Sequence, residues 1–557
     1  MSASAPPSAS NRLPDRFYYL KNFTQVLGWI EQRYGDLLRP DQACFIEAFR
    51  TLPRPSQALL TRMAMRKSDV FRSTRLHYDE IGALAPALGP LFDAGLVADQ
   101  PALSIEELFA LLNKPELVPL FELPRGAAQL AKSELLELLR PGCAEARPLH
   151  AWGAAETAYR LLAAGLCEGF RLLYFGNFHQ TWSEFVLADM GIFRFEQVAL
   201  TQASRAFQSS AQIDAFQRIY RCRQRLQAGA PPGEVVCELP GTVGDSAWIE
   251  QRRQKMLFRI AQRFEALRQP QEALQLYRAC AHPGAPLRAA LILERAGEAA
   301  TALEVCMQGL EQRHEAAFHP RLQRVLRRLQ RGRGGARTPR SAHADVLVLH
   351  LPHPGADVRV ELAAASHLGA AEPESRVFYV ENALINSLFG LLCWDAVFAP
   401  LPGAFFHPFH HGPADLLAPD FHERRRELFD ACLATLADAR HLELIRRRFA
   451  QKNGIQSPFV HWGALDPGLL ELALQCMPAA HLRAWFEWIL RDVGSNSAGF
   501  PDLVQFWPSQ RRYRLVEIKG PGDHLQENQR RLLEYCAAQG LPVAVAHVKW
   551  TSLPAVP

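Results

Sequence analysis

The sequence predicts a mainly α-helical, multidomain protein that ends in a compact α/β unit. Three observations carry that expectation. Apolar residues recur at three- and four-residue steps through most of the stretch from Phe17 to Leu329. Between residues 321 and 340 the composition turns to arginine with no acidic residue, and the latter half, with glycine and proline, reads as a flexible linker. Beyond Gly499, runs with strand character are interleaved with one helical run. A chain of 557 residues also exceeds what one hydrophobic core usually organises.

Bulk composition excludes several classes. Hydrophobic residues make up 48% and charged residues 21%, which is ordinary for globular domains. The formal net charge of +5 neither demands nor excludes nucleic acid, so the placement of charge decides. The 11 cysteines form no C-x-x-C pair, which fits free thiols in a reducing compartment better than a disulfide framework. The opening "MSASAPPSASNRLPDR" has no apolar core and reads as a disordered tail over residues 1–16, not as a secretion signal. No run of eighteen apolar residues appears, so no membrane span is expected. The expectation is a soluble, intracellular protein.

The elements follow in order. Over residues 17–150 the pattern is helical, with Leu20, Phe23, Val26, Leu27 and Ile30 on one stripe. The basic edge Arg62, Arg66, Lys67 and Arg72 can face DNA phosphates or simply be solvated. Ser104 followed by Glu107 marks a helix start, opening a small helical hairpin over about 104–140. Helical character continues over 151–246, with a short extended piece suggested by Phe193, Phe195, Val198 and Leu200. Over 247–330, Ala273–Leu274 and Ala302–Leu303 repeat inside two amphipathic helices, a degenerate helical-pair repeat. A basic linker at 331–345 follows and marks the main boundary. "HADVLVLHLPHP" and "RVELAAA" read as extended, "ENALINSLFGLLCWDAVF" as a deeply packed helix, and about 419–491 as a helical insertion.

The chemistry concentrates near the end, in "GFPDLVQFWPSQRRYRLVEIKGPGDHLQENQRRLLEYC". Two strands, "DLVQFW" and "YRLVEI", flank a turn. Residues i and i+2 of a strand share a face, so Glu517 and Lys519 point together while Val516 and Ile518 take the other side. A hairpin would bring Asp502 beside Glu517. Charges buried among apolar strands are costly unless paired or metal-bound, and carboxylate oxygens suit Mg²⁺ or Mn²⁺. On the following helix Gln529 shares a stripe with Leu525, Leu532 and Cys536, so it needs a polar partner in that centre. Glu381, on the apolar helix, is a further candidate ligand, although an acidic first turn also suits a helix dipole.

These motifs resemble the VRR-NUC type of the PD-(D/E)xK nuclease superfamily. The whole chain resembles bacterial Fanconi-associated nucleases. Supporting stretches are "FYYLKNF", "RYGDLL", "RKSDVFRSTRLHYDEIG", "VENALINSLFGLLCWDAVF", "FHPFHHGPADL" and "FHERR". The resemblance implies a C-terminal restriction-endonuclease-like α/β domain over 346–557, a SAP-like module at about 104–140 and a tetratricopeptide-like domain at 247–330. It implies a structure-selective DNA nuclease that cuts near 5′ flaps, degrades 5′ to 3′ with Mg²⁺ or Mn²⁺, and acts in interstrand-crosslink repair. Its metal ligands fall on Glu381, Asp502, Glu517 and the Ile518 carbonyl. Lys519 and Gln529 complete the catalytic set. The ubiquitin-binding zinc finger of vertebrate forms has no counterpart here. A monomer in a bacterial cytoplasm is expected, with branched DNA as its partner.

Three other readings stand beside this one. His407, His410 and His411 have zinc-like spacing, with His461 downstream, but no cysteine lies near. A Holliday-junction resolvase shares the fold but requires two sites related by symmetry. A non-catalytic repair scaffold would leave the acidic and lysine positions without a purpose.

Overall fold

The computed structural model describes residues 15–178, 180, 182, 193–311, 319–331, 345–353 and 358–551. Most of the amino-terminal tail and the linker residues 332–344 lie outside these. The chain forms two compact units that part between Phe193 and Arg194, inside the 151–246 region read above as continuous. The physical reason lies in the segment after the break. Glu196 accepts hydrogen bonds from Lys452 Nζ at 2.7 Å and Trp394 Nε1 at 3.0 Å, while Val198 and Leu200 pack on the carboxyl-terminal core.

In the first unit, α1 (Tyr18–Tyr34) buries the five residues of the expected stripe. It packs with α2 (Pro40–Thr51), α3 (Arg54–Ala64) and α4 (Ala164–Phe175), where Phe23 meets Phe49 and Phe45 meets Phe170. Three short strands form an antiparallel sheet in the order β1-β3-β2: β1 (Val70–Arg72), β2 (Val97–Asp99) and β3 (Ala158–Leu161). The basic edge is divided. Arg62 pairs with Glu80 at 2.6 Å, and Arg72 with Glu116 and Glu156, whereas Arg66 and Lys67 stay exposed. Ser104 and Glu107 make the expected reciprocal cap on the helix Ile105–Leu111.

In the second unit, helices α5 (Ala247–Ala266), α6 (Pro270–Arg278), α7 (Ala285–Arg295), α8 (Ala299–Glu311) and α9 (His319–Arg331) stack successively. Ala273 and Ala302, the repeated alanines, are both fully buried, because only a small side chain fits where neighbouring helices approach.

The chain then builds a five-stranded mixed sheet in the order β4-β8-β7-β6-β5. Its members are β4 (Asp345–Pro352), β5 (Arg376–Tyr379), β6 (Leu503–Trp507), β7 (Arg512–Lys519) and β8 (Val543–Thr551). The β4–β8–β7 pairs are parallel, and β7–β6–β5 are antiparallel. Helix α10 (Val360–Ala371) covers one face through Ala364 and Leu368, against Leu503, Val516 and Ile518. "RVELAAA" therefore opens a helix and not the expected extended piece. Its alanines favour helix, and the period of Ala364 and Leu368 fits the sheet beneath.

The other face packs on α11 (Ala383–Leu392), α12 (Glu527–Gln539) and four helices between residues 426 and 491. The histidine loop before that block is held by Arg425, fully enclosed, which donates to both oxygens of Asp415 at 2.8 and 2.9 Å. His407 and His410 lie ring against ring at 4.1 Å. Among the described residues, no group of three or more His, Cys, Asp or Glu is gathered to hold a metal ion.

Candidate functional site

The β6–β7 ladder places the acidic residues. Leu503 pairs with Val516, so Asp502, one residue before the strand, stands opposite Glu517. Val516 and Ile518 belong to the α10 face, which leaves Glu517 and Lys519 on the opposite one, as period two requires. Asp502 Oδ2 accepts from the Ile518 backbone N–H at 2.8 Å. A strand residue directs its N–H and C=O to the same side, so the Ile518 carbonyl also faces the Asp502 edge.

Glu517 and Lys519 are buried in spite of their charge. Lys519 Nζ lies 2.8 Å from Glu517 Oε1 and donates to Gln529 Oε1 at 3.1 Å. Gln529 Nε2 donates to Glu517 Oε1 at 2.6 Å. The inward glutamine of α12 thus closes a ring of three side chains in which every bond runs from donor to acceptor.

Glu381 arrives by a different route. It stands in the turn between β5 and α11, not on the helix as expected, with φ at 34°. A non-glycine residue in that region is strained and persists where surrounding contacts over-determine it. Those contacts are visible. The N–H groups of Val380 and Glu381 both donate to the Asp502 carbonyl, at 2.8 and 3.0 Å. Tyr379 Oη donates to Glu381 Oε2 at 2.6 Å, and Asn382 Nδ2 to Oε1 at 3.3 Å.

Electrostatics mark the same spot. Burial pushes the Asp502 carboxyl up to about 6; the Ile518 N–H works against this, and Glu361 and Glu381 add to the rise. Burial, then the Asp502 charge, push Glu517 up to about 7, although Lys519 opposes them. The cluster therefore carries more buried negative charge than its own lysine offsets. Hard oxygen donors in such a setting fit a divalent cation. As they stand, the three carboxylates are not closed around one point: Glu381 is held by Tyr379 and Asn382, and Glu517 by Lys519 and Gln529.

Residues that sequence reasoning passed over include Tyr379, Asn382 and Glu361. Glu361, half-buried in the first turn of α10, is close enough to Asp502 for its charge to act there. No local pattern announces them, because each matters only through the β5–α11 turn or the packing of α10 on the sheet. A cavity of about 590 Å³ elsewhere in this unit is lined by Trp248, Arg252, Lys255, His282 and Asp420, among others. Arg252 lies over Phe216 and Trp248, and burial alone pushes its guanidinium down to about 10.

Known families match three segments of the chain. Residues 436–550 match the VRR-NUC domain, 17–98 the FAN1, HTH domain, and 102–152 the Fanconi anemia-associated nuclease SAP domain. The fold and the D…E-x-K centre define a nuclease of the VRR-NUC class. The chain is 50% identical over 548 residues to the Fanconi-associated nuclease 1 homolog of Pseudomonas aeruginosa, covering 98% of both chains. It also superposes on paFAN1 in a crystal structure with 2-nucleotide 5′ flap DNA containing a gap. There the TM-score is 0.86 at 49% identity, covering 98% of this chain and 100% of that one. A second paFAN1 structure, with a 1-nucleotide 5′ flap and gap, gives a TM-score of 0.85, again at 49% identity, covering 97% and 100%. This chain belongs to the Fanconi-associated nuclease family. It is therefore a divalent-metal-dependent nuclease.

Proposed function

We propose that this protein is a structure-selective DNA nuclease that cuts at 5′ flaps with Mg²⁺ or Mn²⁺, degrades 5′ to 3′, and serves interstrand-crosslink repair. The observation that carries this reading is the carboxylate pair, half-buried Asp502 opposite buried Glu517, with Lys519 2.8 Å from Glu517. The likeness to flap-bound paFAN1 supports the choice of substrate.

In this reading Asp502, Glu517, Glu381 and the Ile518 carbonyl hold the cation. When bound, it makes a water more acidic and offsets charge on the phosphate. The chain's own groups do the rest. Lys519 presents an ammonium where negative charge grows on the attacked phosphate, and a preorganised cation in a partly buried site needs little rearrangement there. Gln529 keeps Lys519 and Glu517 in register through its two bonds. Asp502 is fixed by the Ile518 N–H, so its other oxygen is free to bind the cation. Hydrolysis leaves a 5′-phosphate and a 3′-hydroxyl.

One such centre per chain suits a monomer acting on one strand at a time. The SAP-like and tetratricopeptide-like segments orient branched DNA through its backbone. Arg252, over Phe216 and Trp248 in the cavity wall, carries a guanidinium suited to a backbone phosphate.

Two substitutions test the assignment. Asp502→Ala is expected to abolish divalent-dependent cleavage and weaken Mn²⁺ binding measured by calorimetry, while flap affinity in EDTA stays within about twofold, because phosphate contacts dominate affinity. Cleavage equal to wild type contradicts the reading. Lys519→Ala should lower turnover about 10²-fold or more while Mn²⁺ still binds, the scale of losing one preorganised charge. Unchanged turnover removes the lysine from the mechanism.

A further inference from the structure

Glu381 and Asp502 come from segments more than a hundred residues apart, and one uncharged side chain reaches both. Asn382 Oδ1 accepts the backbone N–H of Gly499 at 2.8 Å and that of Phe500 at 3.1 Å. Its Nδ2 donates to Glu381 Oε1 at 3.3 Å. Its carbonyl accepts from Asn386 Nδ2, which also donates to the Ser497 carbonyl, both at 2.7 Å. Asn386 is almost fully buried on α11, so this second tie is rigid. The turn 497–500 that leads into Asp502 is therefore hung from the first residues of α11, immediately beside Glu381.

We infer that Asn382 is a positioning residue which sets the separation of Glu381 from Asp502 and so shapes the cation site before any cation arrives. This rests on the reading that those carboxylates hold a divalent ion. The chemistry of the amide explains why it suits this place. The oxygen takes two N–H groups of the turn, and the nitrogen gives one hydrogen bond to a carboxylate. An amide carries both functions without adding charge to a cluster already crowded with carboxylates. Leucine or alanine provides neither function. Aspartate provides the oxygen but not the donor.

That asymmetry gives the experiment. Full-length wild type, Asn382→Ala, Asn382→Asp and Asp502→Ala are titrated with Mn²⁺ by calorimetry, melted in EDTA, and assayed on a 5′-flap duplex across Mn²⁺ concentrations. For Asn382→Ala the Mn²⁺ dissociation constant should rise about fivefold and kcat at saturating Mn²⁺ should fall about tenfold, the scale of a lost partner that orients a ligand. For Asn382→Asp, the turn keeps both of its acceptor bonds. Glu381 loses its donor, however, so kcat at saturating Mn²⁺ should fall about threefold, less than in Asn382→Ala, where the turn loses its bonds too.

A lower melting temperature for Asn382→Ala with unaltered Mn²⁺ affinity and kcat would reduce Asn382 to a structural tie and overturn the inference. So would Asn382→Asp turning over at the wild-type rate at saturating Mn²⁺, a result that stands even if the alanine variant fails to fold. The Asp502→Ala arm separates the two levels. If it too leaves Mn²⁺ binding unchanged, the cation-site reading fails. If it abolishes binding while Asn382→Ala binds Mn²⁺ as wild type does, only the role of Asn382 falls.

Discussion

At the scale of single residues, the site is defined by charge buried without enough compensation. Asp502 and Glu517 have carboxyls raised to about 6 and about 7, from ordinary values of 3.8 and 4.5. A carboxyl raised in the folded state favours folding fully below its unfolded value, and that contribution is lost as pH rises through the folded value. Without divalent cation, these two groups therefore make the fold less stable as pH rises from about 4 to about 7. Asp502→Asn should remove part of that slope and stabilise the cation-free protein at pH 8 by about 2–3 kcal/mol. Melts in EDTA across that range measure it. A difference between wild type and variant that stays flat, or slopes the other way, contradicts the burial argument. Glu517 and Lys519 were legible in sequence because a two-residue period needs no tertiary knowledge. Glu381 was legible as a candidate ligand on the apolar helix, but its place in a turn with φ at 34° was not.

At the scale of elements, β6, β7 and α12 were readable from strand–turn–strand–helix signals, and the expected hairpin register is the one observed. The three-stranded sheet of the first unit was hidden, because its strands are three or four residues long and β3 lies far along the chain from β1 and β2. "RVELAAA" was misread for the opposite reason: a short apolar run carries too few residues to separate period two from period 3.6. The turn before β6 yields a prediction at this scale. Gly499 has φ at 89°, and a Cβ there would sit 2.6 Å from Asn528 Nδ2 on α12. Gly499→Ala should cost about 1–3 kcal/mol through strain and crowding. It should also displace the first turn of α12, which carries Gln529, so cleavage falls along with thermal stability. A variant that melts and cuts like wild type would show that this approach is not tight.

At the scale of the whole molecule, helical content through the first 330 residues and a terminal α/β unit followed from periodicity alone. The division at Phe193 did not, because it depends on Glu196 reaching Lys452 and Trp394 more than 190 residues away. The most direct test of the central claim is an anomalous-scattering map from crystals of the full chain grown with a 5′-flap duplex and Mn²⁺. The account predicts a manganese peak bonded to Asp502 and Glu517, with Glu381 turned toward the same centre and a flap phosphate beside Lys519. A map with DNA in place and manganese absent from those carboxylates, or bound at other side chains, would contradict it.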